Sequence, residues 1–337
     1  MSNKYFFDSC VGNPPYMIFT GGGSKTAKNQ AVPIYQYFLD AALKLKVRLI
    51  SAVIPSRWFA SGMQAIEPFR EQITQDRHIK TIKDFADSKQ CFADTGISGG
   101  VCIILRDSEY AGKCFFLDRN SAMQRYLDEF EVLVRHNEAV SILHKIREQG
   151  FMPLSQIVSP ACPFGLSTNV RGRAAKSAKD CLTLYSSTGK TYLSPSEVRK
   201  GHNLIGRYKV MVGKMASEHA GEPSKADGRH KVFTDSMRVL LPGEICTHSY
   251  FCCGSFKSLA EAENLCAYLK SRFVRFLVLA SLTATNLSRK NFVFVPCQKF
   301  GADSDLDWQK PIDCQLYQKY SLSATEAAFI ESLIRPL

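Results

Sequence analysis

Tyr5-Phe-Phe-Asp-Ser-Cys-Val11, followed directly by Gly12-Asn13-Pro14-Pro15-Tyr16, is the stretch of sequence that decides the fold of this chain. The first part is a short apolar run, which predicts a buried β-strand. A glycine and two consecutive prolines then stop the strand, because proline lacks a backbone N–H and fixes φ. We therefore predict a strand followed by a rigid loop that carries Asn13 and Tyr16.

Helical and strand patterns alternate beyond this loop. Residues 33–46 have helical periodicity, with a proline at the start and lysines at the end. Apolar runs at 47–54, 79–85 and 100–105 predict further strands, and residues 62–73 predict a helix. This alternation indicates an α/β fold built from βαβ units around a mostly parallel sheet.

The pattern changes in the second half of the chain. Residues 119–149 predict the longest helix, and after Pro153 short β-like runs alternate with turns rich in Gly, Ser and Pro. A helix follows at 257–276, and the last helix begins at a serine cap, Ser323, with Glu326 three residues later. We predict two domains, residues 1–155 and 156–337, the second of mixed α+β type.

Positive charge is concentrated in one part of the chain. The net charge is +12, and residues 171–300 alone carry 21 Lys and Arg against nine Asp and Glu. A solvated face explains a single basic cluster, whereas several clusters in one span favour a nucleic-acid interface. The predicted DNA-binding residues are Arg171, Arg173, Lys176, Lys179, Arg199, Lys200, Arg207 and Lys209.

Several classes of protein and site are not favoured by the sequence. No apolar run reaches the length of about 18 residues that a membrane span requires, and the first residues do not form a signal peptide. We therefore expect a cytoplasmic protein without a membrane partner. The cysteines show no Cys-x-x-Cys spacing and the histidines no His-x-x-x-His spacing, so we predict no metal site.

Residues Asn13 to Tyr16 suit one particular reaction. The exocyclic amine of adenine is a poor nucleophile because its lone pair is delocalised into the ring. The Asn13 side-chain oxygen and the Pro14 backbone carbonyl can each accept one amine hydrogen, which frees the lone pair for in-line attack on a methyl sulfonium. Pro14 and Pro15 fix the two acceptors, and Tyr16 offers a face for a base taken out of its helix. The alternative is a structural loop with Tyr16 in the core.

Asn13-Pro14-Pro15-Tyr16 resembles the catalytic motif of S-adenosylmethionine-dependent amino-methyltransferases. The rest of the chain resembles, almost end to end, the adenine-specific (N6) DNA methyltransferases of type II restriction–modification systems. The segments that carry this wider resemblance are Ile34–Leu45, Leu49–Phe59, Ile97–Val101, Pro163–Leu166, Gly206–Val210, Ala262–Phe276, Asp307–Trp308 and Gln315–Leu322.

The resemblance implies a fold, a reaction and partners. The fold is the C-terminal part of a Rossmann-like methyltransferase sheet, followed by a target-recognition domain that binds double-stranded DNA. The reaction is methyl transfer from S-adenosylmethionine to N6 of a flipped adenine, and a cognate restriction endonuclease is an implied partner. A second aromatic residue would clamp the base: Phe92 is the first candidate, and Trp58 or Phe59 the reserve.

The chain departs from the family pattern at the methyl donor. Family members hold the donor with a glycine-rich Phe-x-Gly-x-Gly-like loop well before the catalytic tetrapeptide, and here that tetrapeptide begins at residue 13. Asp8, near the end of the opening strand, is a carboxylate that could approach the cofactor or substrate, and the alternative for such a lone carboxylate is a structural role. We expect half of a split enzyme with an N-terminal cofactor-binding subunit, a truncated product, or a fragment of a longer protein.

Two other functions remain open. One is a methyltransferase acting on glutamine in a protein, a class that also uses Asn-Pro-Pro-Tyr but places it late in the chain. The other is a non-catalytic DNA-binding specificity subunit or inactive remnant, which the missing donor loop favours.

Overall fold

The computed structural model describes residues 7–20, 30–59, 65–119, 121–179, 181–217, 223, 224, 226–282 and 286–337. The chain forms two compact units, Met1–Val140 and Ser141–Leu337. We predicted a domain boundary after residue 155, and the units divide 15 residues earlier, inside a helix that runs from Asn137 to Glu148. Among the described residues, no helix is long and apolar enough to cross a membrane.

The first unit contains a six-stranded sheet, a separate hairpin and two helices. The sheet has the order β1-β4-β6-β5-β7-β8, and the hairpin pairs β2 with β3. The elements are β1 (Ser9–Gly12), β2 (Met17–Thr20), β3 (Gln30–Pro33), α1 (Tyr35–Lys44), β4 (Leu49–Pro55), α2 (Glu67–Gln75), β5 (Ile79–Phe85), β6 (Val101–Asp107), β7 (Cys114–Leu117) and β8 (Ala122–Arg125).

The sheet is mixed, so the prediction of a mostly parallel sheet was wrong. In the described sheet β1 pairs with β4, and β5 with β7, in parallel, while the other three neighbouring pairs are antiparallel. Parallel strands require a crossover, and α1 supplies one between β1 and β4. The connection from β5 to β6 contains only a short 3₁₀ turn at Ser88–Gln90, so β6 returns antiparallel beside the strand it left.

The predicted long helix over 119–149 is also wrong. Its first part forms β8, and only Asn137–Glu148 is helical, as α3. Asp118 explains the difference, because its carboxylate accepts hydrogen bonds from the Ser121 amide at 2.8 Å and the Asn137 amide at 2.8 Å. The same side chain thus stabilises the β7–β8 turn and the start of α3.

The core of the first unit is aromatic and lies against the sheet. Trp58 packs edge-on against Phe59 and Phe69, with ring centroids 4.8 and 5.9 Å away. Ile54 and Phe116, on strands β4 and β7, are fully buried with them. Burial of these side chains fixes which face of β4 points inward.

The second unit contains two three-stranded sheets and a set of helices. The sheet orders are β10-β9-β13 and β12-β11-β14. The elements after α3 are β9 (Leu182–Ser186), β10 (Gly189–Leu193), α4 (His202–Ile205), β11 (Tyr208–Gly213), β12 (Arg238–Leu240), β13 (Glu244–Cys246), β14 (Tyr250–Phe256), α5 (Leu259–Lys270), α6 (Arg272–Ala280), α7 (Ile312–Lys319) and α8 (Ala324–Leu333).

Serine caps set two helix boundaries in this unit. The predicted helix over 257–276 is divided into α5 and α6 at Ser271, whose hydroxyl accepts a hydrogen bond from the Val274 amide at 3.2 Å. The predicted cap of the last helix is confirmed: Ser323 and Glu326 each accept a hydrogen bond from the other's backbone amide.

Candidate active site and nucleic-acid interface

The Asn13–Tyr16 tetrapeptide lies at the carboxyl end of β1. Gly12 is the last residue of that strand and pairs with Ala52 of β4, and Asn13 follows it immediately. The Asn13 side chain is exposed and has no hydrogen-bond partner among the described residues. The Tyr16 carbonyl accepts a hydrogen bond from the Ile34 amide at 3.1 Å, which anchors the end of the loop. The arrangement leaves the amide oxygen of Asn13 free to bind a ligand.

Tyr16 presents a neutral ring. Its hydroxyl is buried and has no partner among the described atoms, and the ring is half-buried. Burial raises the pKa of Tyr16 to about 12, with a further contribution from the neighbouring Cys91 and Cys102 thiols. The phenol therefore stays protonated at physiological pH, and the residue offers an aromatic face without a charge.

Two further segments lie at the same edge of the sheet. Strands β4 and β5 run in the same direction as β1, so the residues that follow them meet at the carboxyl edge. The Ser56 amide donates to the Gly100 carbonyl at 3.0 Å, and the Arg57 Nε donates to the Ser98 carbonyl at 3.0 Å. These bonds join the turn after β4 to the loop over residues 86–100.

A buried ion pair supports that loop. Asp84 accepts a hydrogen bond from the Ser56 hydroxyl at 2.8 Å and pairs with the Arg135 Nε at 2.7 Å. The Arg135 Nη2 also donates to the Gly99 carbonyl at 2.5 Å. Burial raises the pKa of Asp84, while Arg135 and Ser56 act in the opposite direction. Sequence reasoning missed this group, although Asp84 occupies an inward position of β5, two residues after the buried Ile82.

The aromatic candidates differ in accessibility. Phe92 is half-buried in the 86–100 loop, where its amide donates to the Ser88 carbonyl at 2.8 Å, and it directly follows Cys91, which lies near Tyr16. Trp58 and Phe59 are fully buried in the core. Neither of these two therefore presents a ring face to a ligand.

Asp8 does not lie beside Asn13. It precedes β1, where its carbonyl accepts a hydrogen bond from the Leu49 amide at 3.1 Å, whereas Asn13 follows the strand. Five residues of extended chain, at about 3.3 Å each, separate the two by roughly 16 Å. The structure therefore does not bring this predicted cofactor contact to the tetrapeptide.

The predicted DNA-binding side chains are mostly at the surface of the second unit. Arg173 forms an ion pair with Glu197, and Arg207 is half-buried. The exposed members of the set are Arg171, Arg173, Lys176, Lys179, Arg199 and Lys200.

Lys209 is the exception, and its prediction as a DNA contact was wrong. The residue lies in β11, whose later residues are all buried, and it has no exposed surface. Its Nζ donates to the Arg207 carbonyl at 3.0 Å and lies 5.9 Å from the centre of the Phe164 ring. Burial lowers the pKa of Lys209. A side chain in this position cannot reach a phosphate.

The part of the chain that forms the tetrapeptide site is similar to a known family. Residues 2–92 match the Eco57I restriction-modification methylase family. The predicted resemblance to adenine-specific methyltransferases of restriction–modification systems is therefore confirmed. The matched region includes β1, the tetrapeptide and Phe92.

Individual relatives agree with this result. An uncharacterized adenine-specific methylase of Mycoplasma pneumoniae is 36% identical over 107 residues, which are 32% of this chain and 25% of that protein. Among solved structures, this chain matches the type IIG restriction endonuclease BpuSI (11% identity, TM-score 0.36) and the type IIL restriction-modification enzyme MmeI in complex with DNA (8% identity, TM-score 0.47). They cover 94% and 97% of this chain, which spans 49% and 52% of their own lengths.

Proposed function

We propose that this chain takes part in the transfer of a methyl group from S-adenosylmethionine to N6 of an adenine flipped out of double-stranded DNA, within a restriction–modification system. The observation that carries the proposal is the exposed Asn13 side chain at the carboxyl end of β1, which has no partner among the described residues and lies next to the Pro14 carbonyl, in a region that matches a methylase family. Two acceptors in a rigid loop match an amine that has two hydrogens to donate.

The proposed role of the chain's own residues is to bind and orient the adenine that receives the methyl group. Asn13 Oδ1 and the Pro14 carbonyl oxygen accept the two N6 hydrogens, so the nitrogen lone pair turns away from the ring. S-adenosylmethionine supplies an electrophilic methyl group on a sulfonium. The N6–methyl bond forms as the methyl–sulfur bond breaks, the electron pair of that bond stays on sulfur, and N6 releases one proton to solvent.

Tyr16 and Phe92 are proposed to hold the flipped base between them. The neutral Tyr16 ring lies in the tetrapeptide itself, and the loop that carries Phe92 is adjacent to it through Cys91. Stacking between aromatic rings replaces part of the stacking that a base loses when it leaves the duplex.

The second unit is proposed to be the target-recognition domain. It contains the whole 171–300 span, which holds 21 basic and nine acidic side chains. Exposed lysine and arginine neutralise phosphates without regard to sequence, and this contribution dominates affinity for DNA. The first unit is proposed to be the later part of a Rossmann-like methyltransferase domain.

Replacement of Asn13 tests the proposal. Asn13→Ala should lower the rate of methyl transfer by at least about 100-fold, as loss of a positioned hydrogen-bonding group does elsewhere. Asn13→Asp, which keeps an acceptor oxygen, should retain more activity than Asn13→Ala. Ser9→Ala, at an exposed position on β1, is the control and should be fully active. Methyl transfer to DNA is measured with a radiolabelled donor, and the modified base is identified by nucleoside mass spectrometry.

Three results would contradict the proposal: full activity of Asn13→Ala, a product other than N6-methyladenine, or no DNA methylation in cells that express the protein. Residues 1–12 hold no glycine-rich donor loop. Calorimetry with S-adenosylmethionine is therefore part of the test. DNA binding without donor binding or methyl transfer would instead favour a non-catalytic specificity subunit.

A further inference from the structure

A cleft of about 650 Å³ lies in the second unit and has no role in the reaction described above. Its lining comes from within residues 156–163, 200–204 and 252–256, together with Arg289. The charged side chains among the described residues that line it are Lys200 and Arg289, and none of its lining residues is acidic. A positive, open cleft of this size is matched to an anionic ligand with an uncharged part.

Both cations at the cleft are available to a ligand. Arg289 is exposed, and its Nε donates to the Ser155 carbonyl at 2.8 Å, which orients the guanidinium. Its two terminal nitrogens, and the Lys200 ammonium, have no partner among the described atoms. Because the Arg289 side chain is already oriented, binding through its terminal nitrogens costs less conformational entropy.

The backbone on the Lys200 side is closely packed. The Phe164 carbonyl accepts from the Arg199 amide at 3.1 Å and the Lys200 amide at 3.4 Å. Gly201 has φ +63°, and a Cβ at this position would lie 2.4 Å from the Pro163 carbonyl oxygen. Only glycine fits this contact, so the turn fixes the backbone position of Lys200.

Strand β14, which contains a bulge, lines another side of the cleft. In the β11–β14 ladder Val210 pairs with Cys253 and Tyr208 with Phe256, so β14 contains one extra residue at this point. Gly254 has φ +74°, and Ser255 is exposed at the cleft. Bulges of this kind redirect side chains and are common beside binding sites.

We propose that this cleft binds a nucleotide of the DNA, with its phosphate at Lys200 and Arg289. Two exposed amide side chains, Gln156 and Asn203, line the same cleft and have the donor and acceptor pair that adenine edges require. Pro160 and Leu204 offer an apolar wall to the sugar or base. The proposal rests on DNA being the substrate proposed above, and it adds Arg289, Asn203 and Gln156 to the contacts.

Charge removal at the cleft tests the phosphate contact. Lys200→Ala and Arg289→Ala should each weaken binding of a fluorescein-labelled duplex by roughly ten-fold, because each removes a charge-assisted hydrogen bond. Each should also lower the slope of log affinity against log salt by about 0.9. Lys290→Ala is the matched control, since Lys290 is exposed and adjacent to Arg289 but does not line the cleft. Fluorescence anisotropy at salt concentrations from about 50 to about 200 mM gives both the affinity and its salt dependence.

The amide side chains have a separate readout. Gln156→Ala and Asn203→Ala remove no charge, so the salt slope should stay the same while the sequences selected from a random duplex pool change. An unchanged selection would overturn the assignment of these two residues to base edges.

Two outcomes would overturn the cleft as a DNA site. Lys200→Ala and Arg289→Ala could bind the duplex as tightly as Lys290→Ala does. Alternatively, inorganic phosphate at millimolar concentration could bind the native protein through Lys200 and Arg289 without lowering its affinity for the duplex, which would indicate a site for free phosphate. The methyl-transfer assay separates this proposal from the previous one. Normal methylation by cleft variants with unchanged affinity would remove the cleft and leave the reaction in place. If the native protein transfers no methyl group but the cleft variants bind DNA more weakly than it does, the proposed reaction is contradicted and the cleft remains a DNA site.

Discussion

Lys200 and Lys209 show how much the environment of one residue matters. They carry the same charge and lie nine positions apart, yet Lys200 is exposed at a cleft and Lys209 is fully buried beside Phe164. A count of basic residues treats the two alike. The structure separates a charge that can contact DNA from one that contributes to the core.

Lys209→Met tests this distinction. Methionine fills a similar volume without a buried charge, so the variant should unfold at the same or a higher temperature at pH 7. Because burial lowers the pKa of Lys209, the folded state binds the proton less tightly than the unfolded state. Native stability should therefore rise with pH up to the ordinary lysine value of about 10.4, and Lys209→Met should lack this part of the rise. Its DNA affinity and salt slope should equal those of the native protein, and a weakened complex would restore Lys209 to the interface.

The proposed catalytic residues could be identified as candidates from sequence because they occupy adjacent positions. Asn13, Pro14 and Tyr16 need only a strand before them and a turn to fix them. Asp84 and Arg135 could not be predicted, because their pairing joins residues 51 positions apart. The one local signal was a carboxylate at an inward position of a strand.

The loop between β5 and β6 is the element that the candidate site depends on most. Gly100 ends it with φ +79°, and a Cβ there would lie 2.2 Å from the Phe85 carbonyl oxygen. The Gly100 carbonyl accepts a hydrogen bond from the Ser56 amide, so Gly100 also fixes the turn after β4. Strain at this glycine would spread to both segments.

Gly100→Ala should therefore destabilise the protein by about 2 kcal/mol or more, from left-handed strain and the backbone clash together. Gly96→Ala in the same loop is the matched control, because a Cβ there meets no atom within 4 Å. It should unfold within about 0.5 kcal/mol of the native protein. Urea denaturation followed by circular dichroism measures both, and equal stabilities for the two variants would contradict the argument.

Elements with local signals were predicted well. α8 begins at the predicted Ser323 cap and α1 ends at Lys44, one of the predicted terminal lysines, since such signals act within one turn. The predicted start of α1 was wrong, because Pro33 ends β3 and the helix begins at Tyr35. The strand order could not be predicted, because β6 lies between β4 and β5 through contacts made far along the chain. The prediction of a helix over 119–149 was wrong for the same reason, because the Asn137 amide donates to the Asp118 carboxylate, 19 residues earlier.

At the scale of the whole molecule, the charge asymmetry is the property that sequence analysis located most directly. All of the +12 net charge is accounted for by residues 171–300, within the second unit. The structure adds that these exposed charges are not equivalent, because Arg173 is paired with Glu197 while Arg171, Lys176 and Lys179 form no ion pair with a described residue.

Replacement of Arg171, Arg173 and Lys176 together by Ala should weaken DNA binding. It should lower the slope of log affinity against log salt by the amount expected for about two phosphate contacts rather than three. Arg173 contributes little in this expectation, since its charge is already neutralised by Glu197. Glu197→Gln should free the Arg173 charge, and it should raise both the affinity for DNA and the salt slope. Anisotropy titrations at several salt concentrations measure the effect, and a decrease in affinity for Glu197→Gln would be inconsistent with it.

The Asp84–Arg135 pair also has a consequence for the order of assembly during synthesis. The tetrapeptide is translated before Arg135, and the Gly99 carbonyl at the same edge of the sheet accepts its hydrogen bond from Arg135 only when that residue has been made. More than a hundred residues must therefore be translated before the carboxyl edge of the sheet can close. The segment proposed to carry the chemistry is therefore completed well after it has been translated.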